Sequence, residues 1–264
     1  MRAAIGRGIL VVGLLIPLVP LALWSVTRTW QYPSLLPQEY NLRGFEELGR
    51  PGSDLLEGVI TSSIIAIIVT FAAAGIGLSA GRALGLYRFR SKRLIQFLML
   101  APVIVPAFAV TMGIQVLFIR VGLADTLWGV ALVHMIPTVP YVTLVMGSVF
   151  ANYDVAYEEQ ARVLGAGPLS ILFRVTLPAV FPGLAVASLF AFVISWSEYI
   201  LTLLVGGGTI KTMPLLLFAY VGGNDSTRAA ALGIIFIIPP LLLLVLTSRY
   251  LTGSKRAISG LGQL

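Results

Sequence analysis

Few side chains in this chain could act as nucleophiles, metal ligands or acid–base catalysts. The sequence has no cysteine and one histidine, His134, so it offers no basis for disulfides, thiolate metal sites or a histidine cluster. Glu198 is the one acid placed well inside a long apolar stretch. A catalytic centre needs several such groups at one place. We therefore expect no catalytic residue, no metal site and no cofactor on this chain.

A polar segment at 151–178 is the second place where the residues indicate chemistry. From Tyr153 to Leu164 most residues favour a helix, with Asp154 as its expected N-cap. Glu158 and Glu159 fall in the early turns, where negative charge suits the helix dipole.

The four residues Gly165-Ala166-Gly167-Pro168 break this helix, because glycine can end a helix in the left-handed region and proline can begin the next one. A second helix over 168–176 places its apolar residues on one face; these are Leu169, Leu172, Phe173 and Leu177. Two helices joined by a tight turn with an exposed tip fit a groove on a partner. An amphipathic connector lying on the membrane surface agrees with the same residues equally well.

The composition defines the surroundings of these residues. The chain of 264 residues is 58% hydrophobic and 11% charged, with a mean hydropathy of +0.95, whereas soluble domains carry about 25% charged residues. These values indicate a polytopic membrane protein. The net charge of +7 is therefore assigned to cytoplasmic loops rather than to nucleic-acid binding.

Six apolar stretches come close to the ~20 residues that a bilayer core requires. The first follows Arg2 and Arg7 as a signal peptide would, but it is long and lacks a small-x-small cleavage site, so we expect an uncleaved helix. We predict one all-α transmembrane domain over 1–264, with spans at about 5–26, 56–81, 94–119, 127–150, 179–205 and 229–251.

The distribution of basic residues predicts the orientation. The short stretch from Arg82 to Arg93 holds five basic residues and no acid, so we place it in the cytoplasm. Both termini are then cytoplasmic, with twelve of the eighteen basic residues inside: Arg2, Arg7, Arg82, Arg88, Arg90, Lys92, Arg93, Arg162, Arg174, Arg249, Lys255 and Arg256.

One pattern in the polar segment resembles a family motif. Glu-x-Ala, three residues, Gly, nine residues, then aliphatic-x-Leu-Pro resembles the EAA motif of permease subunits of binding-protein-dependent ABC importers. The matching positions are Glu159, Ala161, Gly165, Val175, Leu177 and Pro178. Gln160 departs from the usual alanine, although glutamine also favours helix.

The resemblance implies the MetI-like fold of type I importer permeases and a coupling helix that docks on a separate ATPase. It also implies a dimer of ATPases, a second permease that is related but not identical, an extracytoplasmic substrate-binding protein, and a place in the bacterial inner membrane. This chain has no G-x-x-x-x-G-K-[ST] phosphate loop, so it is not expected to be an enzyme, and ATP and Mg belong on the partner. The expected coupling residues are Glu158, Glu159, Ala161, Arg162, Leu164, Gly165, Ala166, Gly167, Leu177 and Pro178.

A second set of residues is expected near the translocation path. An ionisable group inside a membrane costs roughly 2.5–3.5 kcal/mol on insertion scales, so Glu198 is a functional candidate, and the resemblance supports this position. Glu198 could instead cap a loop near the outer interface or pair with the second permease. The other candidates are Ser195, Trp196, Ser197, Thr138 and Tyr141.

The substrate is less well defined by the sequence. Leu164-Gly165-Ala166 resembles the polyamine, iron, phosphonate or thiamine group, whereas sugar-type permeases usually have Asp-Gly-Ala there. An acidic Glu198 favours a cationic, polyamine-like solute. A sugar-type permease and a stand-alone secondary transporter remain alternatives. A membrane enzyme is disfavoured because so few catalytic groups are present.

Overall fold

The computed structural model describes residue 13 and residues 15–31, 33–46, 50–105 and 107–252. This part of the chain is mostly helical, as predicted. The helices are α1 (Leu18–Ser25), α2 (Arg43–Glu46), α3 (Asp54–Leu86), α4 (Lys92–Ile104), α5 (Ala107–Arg120), α6 (Leu127–Ala151), α7 (Ala156–Val163), α8 (Pro168–Ile171), α9 (Leu177–Trp196), α10 (Ile200–Val205), α11 (Met213–Gly222) and α12 (Ser226–Thr252).

Four helical stretches are long and apolar enough to cross a membrane: Asp54–Leu86, Leu127–Ala151, Pro168–Trp196 and Ser226–Ser248. Two shorter apolar stretches, Val110–Arg120 and Met213–Gly222, accompany them. The predicted first span begins among residues outside the described ones, which also include Arg2, Arg7, Lys255 and Arg256. The described part of that span contains α1.

The predicted third span, 94–119, is divided between α4 and α5. Helix α4 ends at Ile104, and Val105 has extended backbone with φ −82° and ψ 135°. Val105 precedes a proline in the sequence, and proline disfavours helical backbone in the residue before it. Pro137 and Pro140, in contrast, are both accommodated inside the continuous helix α6.

The predicted fifth span, 179–205, contains a second division, because α9 ends at Trp196 and α10 begins at Ile200. Helix α11 lies between the fifth and sixth predicted spans, in a segment that the predicted orientation places outside the membrane as a loop. It begins with Met213-Pro214, and proline is favoured in the first helical turn, where its missing N–H is not needed.

The chain divides into two compact units. The first comprises residues 1–62 and 211–239. Within it, strands β1 (Thr27–Thr29) and β2 (Glu39–Tyr40) pair antiparallel. The segment between the first two predicted spans therefore contains a small hairpin. Lys211 Nζ donates hydrogen bonds to Asp54 and Glu57 in the same unit, at 2.7 and 3.1 Å.

The second unit comprises residues 63–210 and 240–264. Within it, α3 packs closely on α6. A Cβ atom added to Gly81 would collide with the Met146 Cβ and lie 2.9 Å from the Gly147 backbone nitrogen. A Cβ atom on Gly85 would lie 2.8 Å from the Gly147 carbonyl oxygen. Small residues four apart let membrane helices approach this closely, and this contact brings the end of α3 to the polar segment.

Candidate functional site

The polar segment forms the predicted pair of helices. Helix α7 runs over Ala156–Val163 and α8 over Pro168–Ile171. The Asp154 side chain accepts a hydrogen bond from the Ala156 backbone N–H at 2.9 Å, which satisfies one free donor at the start of α7.

Gly165 closes α7 with a left-handed backbone, at φ 84°. The Gly165 N–H donates to the Arg162 carbonyl and the Ala166 N–H donates to the Ala161 carbonyl, both at 3.0 Å. This pair of bonds is the Schellman motif, which satisfies the last carbonyls of a helix. The turn therefore has a defined geometry.

The tip of the segment is apolar and exposed. Val163 and Leu164 are 87% and 86% exposed, and Leu169 is 70% exposed. A cluster of exposed apolar side chains of this kind is typical of a surface that contacts another protein or the membrane. Phe173, beyond α8, is exposed as well, while Ile171 on the opposite side is buried.

A π-helical turn over Leu172–Thr176 joins α8 to α9. Such turns are rare, and they change which residues face inward. Here the turn buries Thr176, whose hydroxyl donates to Glu158 Oε1 at 2.7 Å. The residues gave no signal for this turn, since the sequence predicted an ordinary helix over 168–176.

Glu158 lies inside the fold rather than at the exposed tip, with only 3% of its residue surface exposed. Its two carboxylate oxygens accept hydrogen bonds from Arg82 Nη1 and Nη2, at 2.6 and 2.7 Å. The Arg82 hydrogen bonds, with a smaller contribution from the Thr176 hydroxyl, lower the pKa of Glu158 to about 2 against the opposing effect of burial. Glu158 is therefore ionised at any physiological pH.

The other predicted coupling residues lie on both sides of the turn. Glu159, Arg162, Gly165, Gly167 and Pro178 are exposed, while Ala161, Ala166 and Leu177 are half-buried. A cavity of about 370 Å³ lies beneath the turn. It is lined by Arg82, Glu158, Arg162, Ala166, Pro168, Ile171, Leu172 and Thr176.

Several predicted path residues belong to a buried polar cluster between α6, α9 and α10. The two His134 ring nitrogens lie 2.9 Å from Ser195 Oγ and 2.8 Å from Thr202 Oγ1. The Thr138 hydroxyl donates to the His134 carbonyl at 2.8 Å. Neither His134 nor Thr202 was among the path candidates drawn from the sequence. His134 holds the three helices together, since both of its ring nitrogens are engaged.

The remaining path candidates are dispersed. Glu198 lies between α9 and α10, half-buried, where its Oε1 accepts from the Leu201 N–H at 3.2 Å. Trp196 is fully buried and stacks on Phe192, Tyr141 packs against Phe190, and Ser197 is exposed. The capping geometry of Glu198 agrees with the alternative that the sequence left open.

Arg82 is the main site residue that sequence reasoning missed, because it was used only to predict orientation. The Gly77-x-x-x-Gly81-x-x-x-Gly85 spacing was a readable signal for a close helix contact beside it. No local pattern connects Arg82 with Glu158, which is 76 positions away.

These features define a class of protein: a polytopic helical membrane protein with a structured, exposed helix pair between two of its spans. More particularly, residues 73–256 match the family described as binding-protein-dependent transport system inner membrane component. The chain belongs to this family, which confirms the resemblance first seen between Glu159 and Pro178.

Similar proteins include known polyamine permeases. The chain is 29% identical to the spermidine/putrescine transport system permease protein PotC of Haemophilus influenzae, over 73% of this chain and 75% of the relative. It is 30% identical to the putrescine transport system permease protein PotI of Escherichia coli, over 73% and 71%.

The fold also matches solved transporters. One is a bacterial ABC transporter involved in the import of the acidic polysaccharide alginate, with a TM-score of 0.72, 19% identity and 95% coverage of both chains. Another is a bacterial alginate ABC transporter in complex with a periplasmic protein bound to an alginate pentasaccharide, with a TM-score of 0.64 and 13% identity over 93% and 91% of the two chains. The fold is that of an ABC importer permease.

Proposed function

We propose that this chain is the permease subunit of an ATP-driven importer, that it forms half of the translocation pore, and that its 151–178 segment docks on a separate ATPase. The observation that carries the proposal is the exposed apolar tip at Val163 and Leu164, set on a turn of defined geometry. A rigid apolar tip can enter a cleft on the ATPase and follow its movement.

We also propose that both termini face the cytoplasm and that the chain resides in the bacterial inner membrane. The support is the basic stretch from Arg82 to Arg93, because it places the 151–178 segment on the side where ATP is present.

The further partners are a second permease, related but not identical, and an extracytoplasmic substrate-binding protein. Membership of the binding-protein-dependent family supports both. Hydrolysis of ATP, with Mg, belongs to the ATPase dimer in this proposal.

Docking is tested by Leu164→Asp in the assembled transporter. A charge at an apolar contact has to be desolvated, so we expect the ATPase to be lost when the permease is purified from detergent-solubilised membranes. Leu35→Asp is the matched control, because Leu35 is 92% exposed and lies in the other unit. Equal ATPase recovery with both variants would show that the tip is not the docking surface.

The proposed substrate class is polyamine-like. PotC and PotI, the relatives described above, are named for spermidine and putrescine transport, and Glu198 supplies a carboxylate for a cation. In proteoliposomes with the complete transporter and its binding protein, we expect ATP-dependent uptake of labelled spermidine and a several-fold reduction by Glu198→Gln. Uptake of maltose without spermidine would contradict the substrate class, and equal spermidine uptake by Glu198→Gln would remove Glu198 from the path.

A further inference from the structure

The Glu158 carboxylate connects three elements of the fold, one of which is far from the others in sequence. Glu158 itself lies on α7, Arg82 reaches it from α3, and Thr176 reaches it from the π-helical turn before α9. The three hydrogen bonds are 2.6, 2.7 and 2.7 Å long. We name this group the Glu158 junction.

The geometry of the Glu158 junction indicates that its main effect is to fix how α3 and α7 are oriented, rather than to stabilise the fold. A buried ion pair contributes little more to stability than apolar residues of the same volume. The two parallel bonds between Arg82 and Glu158 instead fix the angle between the side chains. Arg82 is itself held in place, since its guanidinium lies 5.8 Å from the centre of the Phe150 ring on α6.

The connections of α3 and α9 to the 151–178 segment, which we name the docking segment, differ in kind. Helix α9 continues directly from the π-helical turn, so any movement of α7 and α8 reaches it through the backbone. Helix α3 is distant in sequence and can follow the segment only through noncovalent contacts. The Glu158 junction joins the end of α3 to α7 by the strongest class of such contacts.

We propose that Arg82 is a positioning residue that transmits movement of the docking segment to helix α3 through Glu158 and Thr176. The proposal rests on the proposed function, in which the ATPase moves this segment. A linkage of this kind moves α3 and α9 together, so ATP binding rearranges both helices in one step. Without it, α9 still moves, whereas α3 follows only through its packing on α6 and moves less.

The chain has no cysteine, so a cysteine introduced for spin labelling is the only one that it contains. One label replaces Ile76 on α3 and a second, in a separate sample, replaces Ala179 on α9; both side chains are exposed. The measurement is the change in the electron paramagnetic resonance spectrum when ATP, Mg²⁺ and vanadate are added to the complete transporter.

With the wild-type junction, we expect both labels to respond. In Glu158→Gln, the response at Ile76 falls by roughly fivefold or more, the lower end of usual coupling factors, while the response at Ala179 persists. Thr176→Val removes one hydrogen bond of the junction at nearly constant side-chain volume. It replaces Glu158→Gln in the experiment if the Glu158→Gln transporter does not assemble. We expect Thr176→Val to lower the Ile76 response as well. Glu39→Gln, in an exposed ion pair of the other unit, leaves both responses intact.

An unchanged Ile76 response in Glu158→Gln overturns the linkage. Loss of both responses in Glu158→Gln and in Thr176→Val also overturns it, because a residue needed only for docking would silence α9 as well. If neither label responds in the wild-type transporter, the proposed function itself fails, and the linkage falls with it.

Discussion

At the scale of single residues, the turn between α7 and α8 depends on a left-handed backbone conformation that glycine adopts easily. Gly165 has φ 84°, and no atom lies within 4 Å of the position that a Cβ would occupy. A side chain there would have space, so its only cost would be conformational. Gly167, two residues later, has equal space but an ordinary extended backbone with φ −74°.

These two glycines provide a matched pair of substitutions. Gly165→Ala forces a non-glycine residue into the left-handed region, which costs roughly 1–2 kcal/mol. We expect a lower melting temperature for the Gly165→Ala protein in detergent and no decrease for Gly167→Ala. Equal melting temperatures would show that the turn relaxes to another backbone conformation and does not hold the tip rigid.

Several buried polar residues of the membrane-spanning region are hydrogen-bonded within the chain. His134 bonds Ser195 and Thr202, and Glu198 caps α10. Because the apolar surroundings offer no water to an unpaired polar group, each of these bonds restricts where its helix can lie. At the break between α9 and α10, the polar residues therefore fix the local structure.

At the scale of elements, the contact between α3 and α6 places Arg82 at the Glu158 junction. Gly81 is buried in this contact, whereas Gly75 on the same helix is exposed and has nothing within 4 Å of an added Cβ. The two glycines lie on the same helix, and only Gly81 is needed for close approach.

Gly81→Ala is therefore expected to destabilise the protein and Gly75→Ala is not. An added methyl group at Gly81 meets Met146 and the Gly147 backbone, and overpacking of this kind typically costs about 1–3 kcal/mol. The measurement is thermal unfolding of each purified variant in the same detergent, followed by size-exclusion chromatography. A Gly81→Ala protein as stable as Gly75→Ala would mean that α3 and α6 separate without cost.

The elements also show how far sequence reasoning reaches. The turn at Gly165 and the long helices were predictable, because glycine conformation and apolar length are local properties. The division of the third predicted span was partly readable from the proline after Val105. The π-helical turn and the pairing of Arg82 with Glu158 were not, because both depend on tertiary contacts between residues far apart in sequence.

At the scale of the whole molecule, the proposed orientation decides which surface meets ATP and which meets the binding protein. Three exposed positions report on it: Leu35 in the outer segment, Ser91 in the basic stretch and Leu164 at the tip. The native chain has no cysteine, so a cysteine at any of them is the only thiol in the protein.

Labelling of intact cells that contain the permease without its ATPase tests this orientation, with a membrane-impermeant maleimide as the reagent, because a docked ATPase would cover Leu164. The outer membrane is first made permeable to the reagent. We expect Leu35→Cys to react at once, and Ser91→Cys and Leu164→Cys to react only after lysis, because five basic residues hold the stretch from Arg82 to Arg93 inside. Labelling of Ser91→Cys and Leu164→Cys from outside, with Leu35→Cys protected, would invert the orientation. The exposed tip would then face away from ATP, and docking on a cytoplasmic ATPase would be impossible.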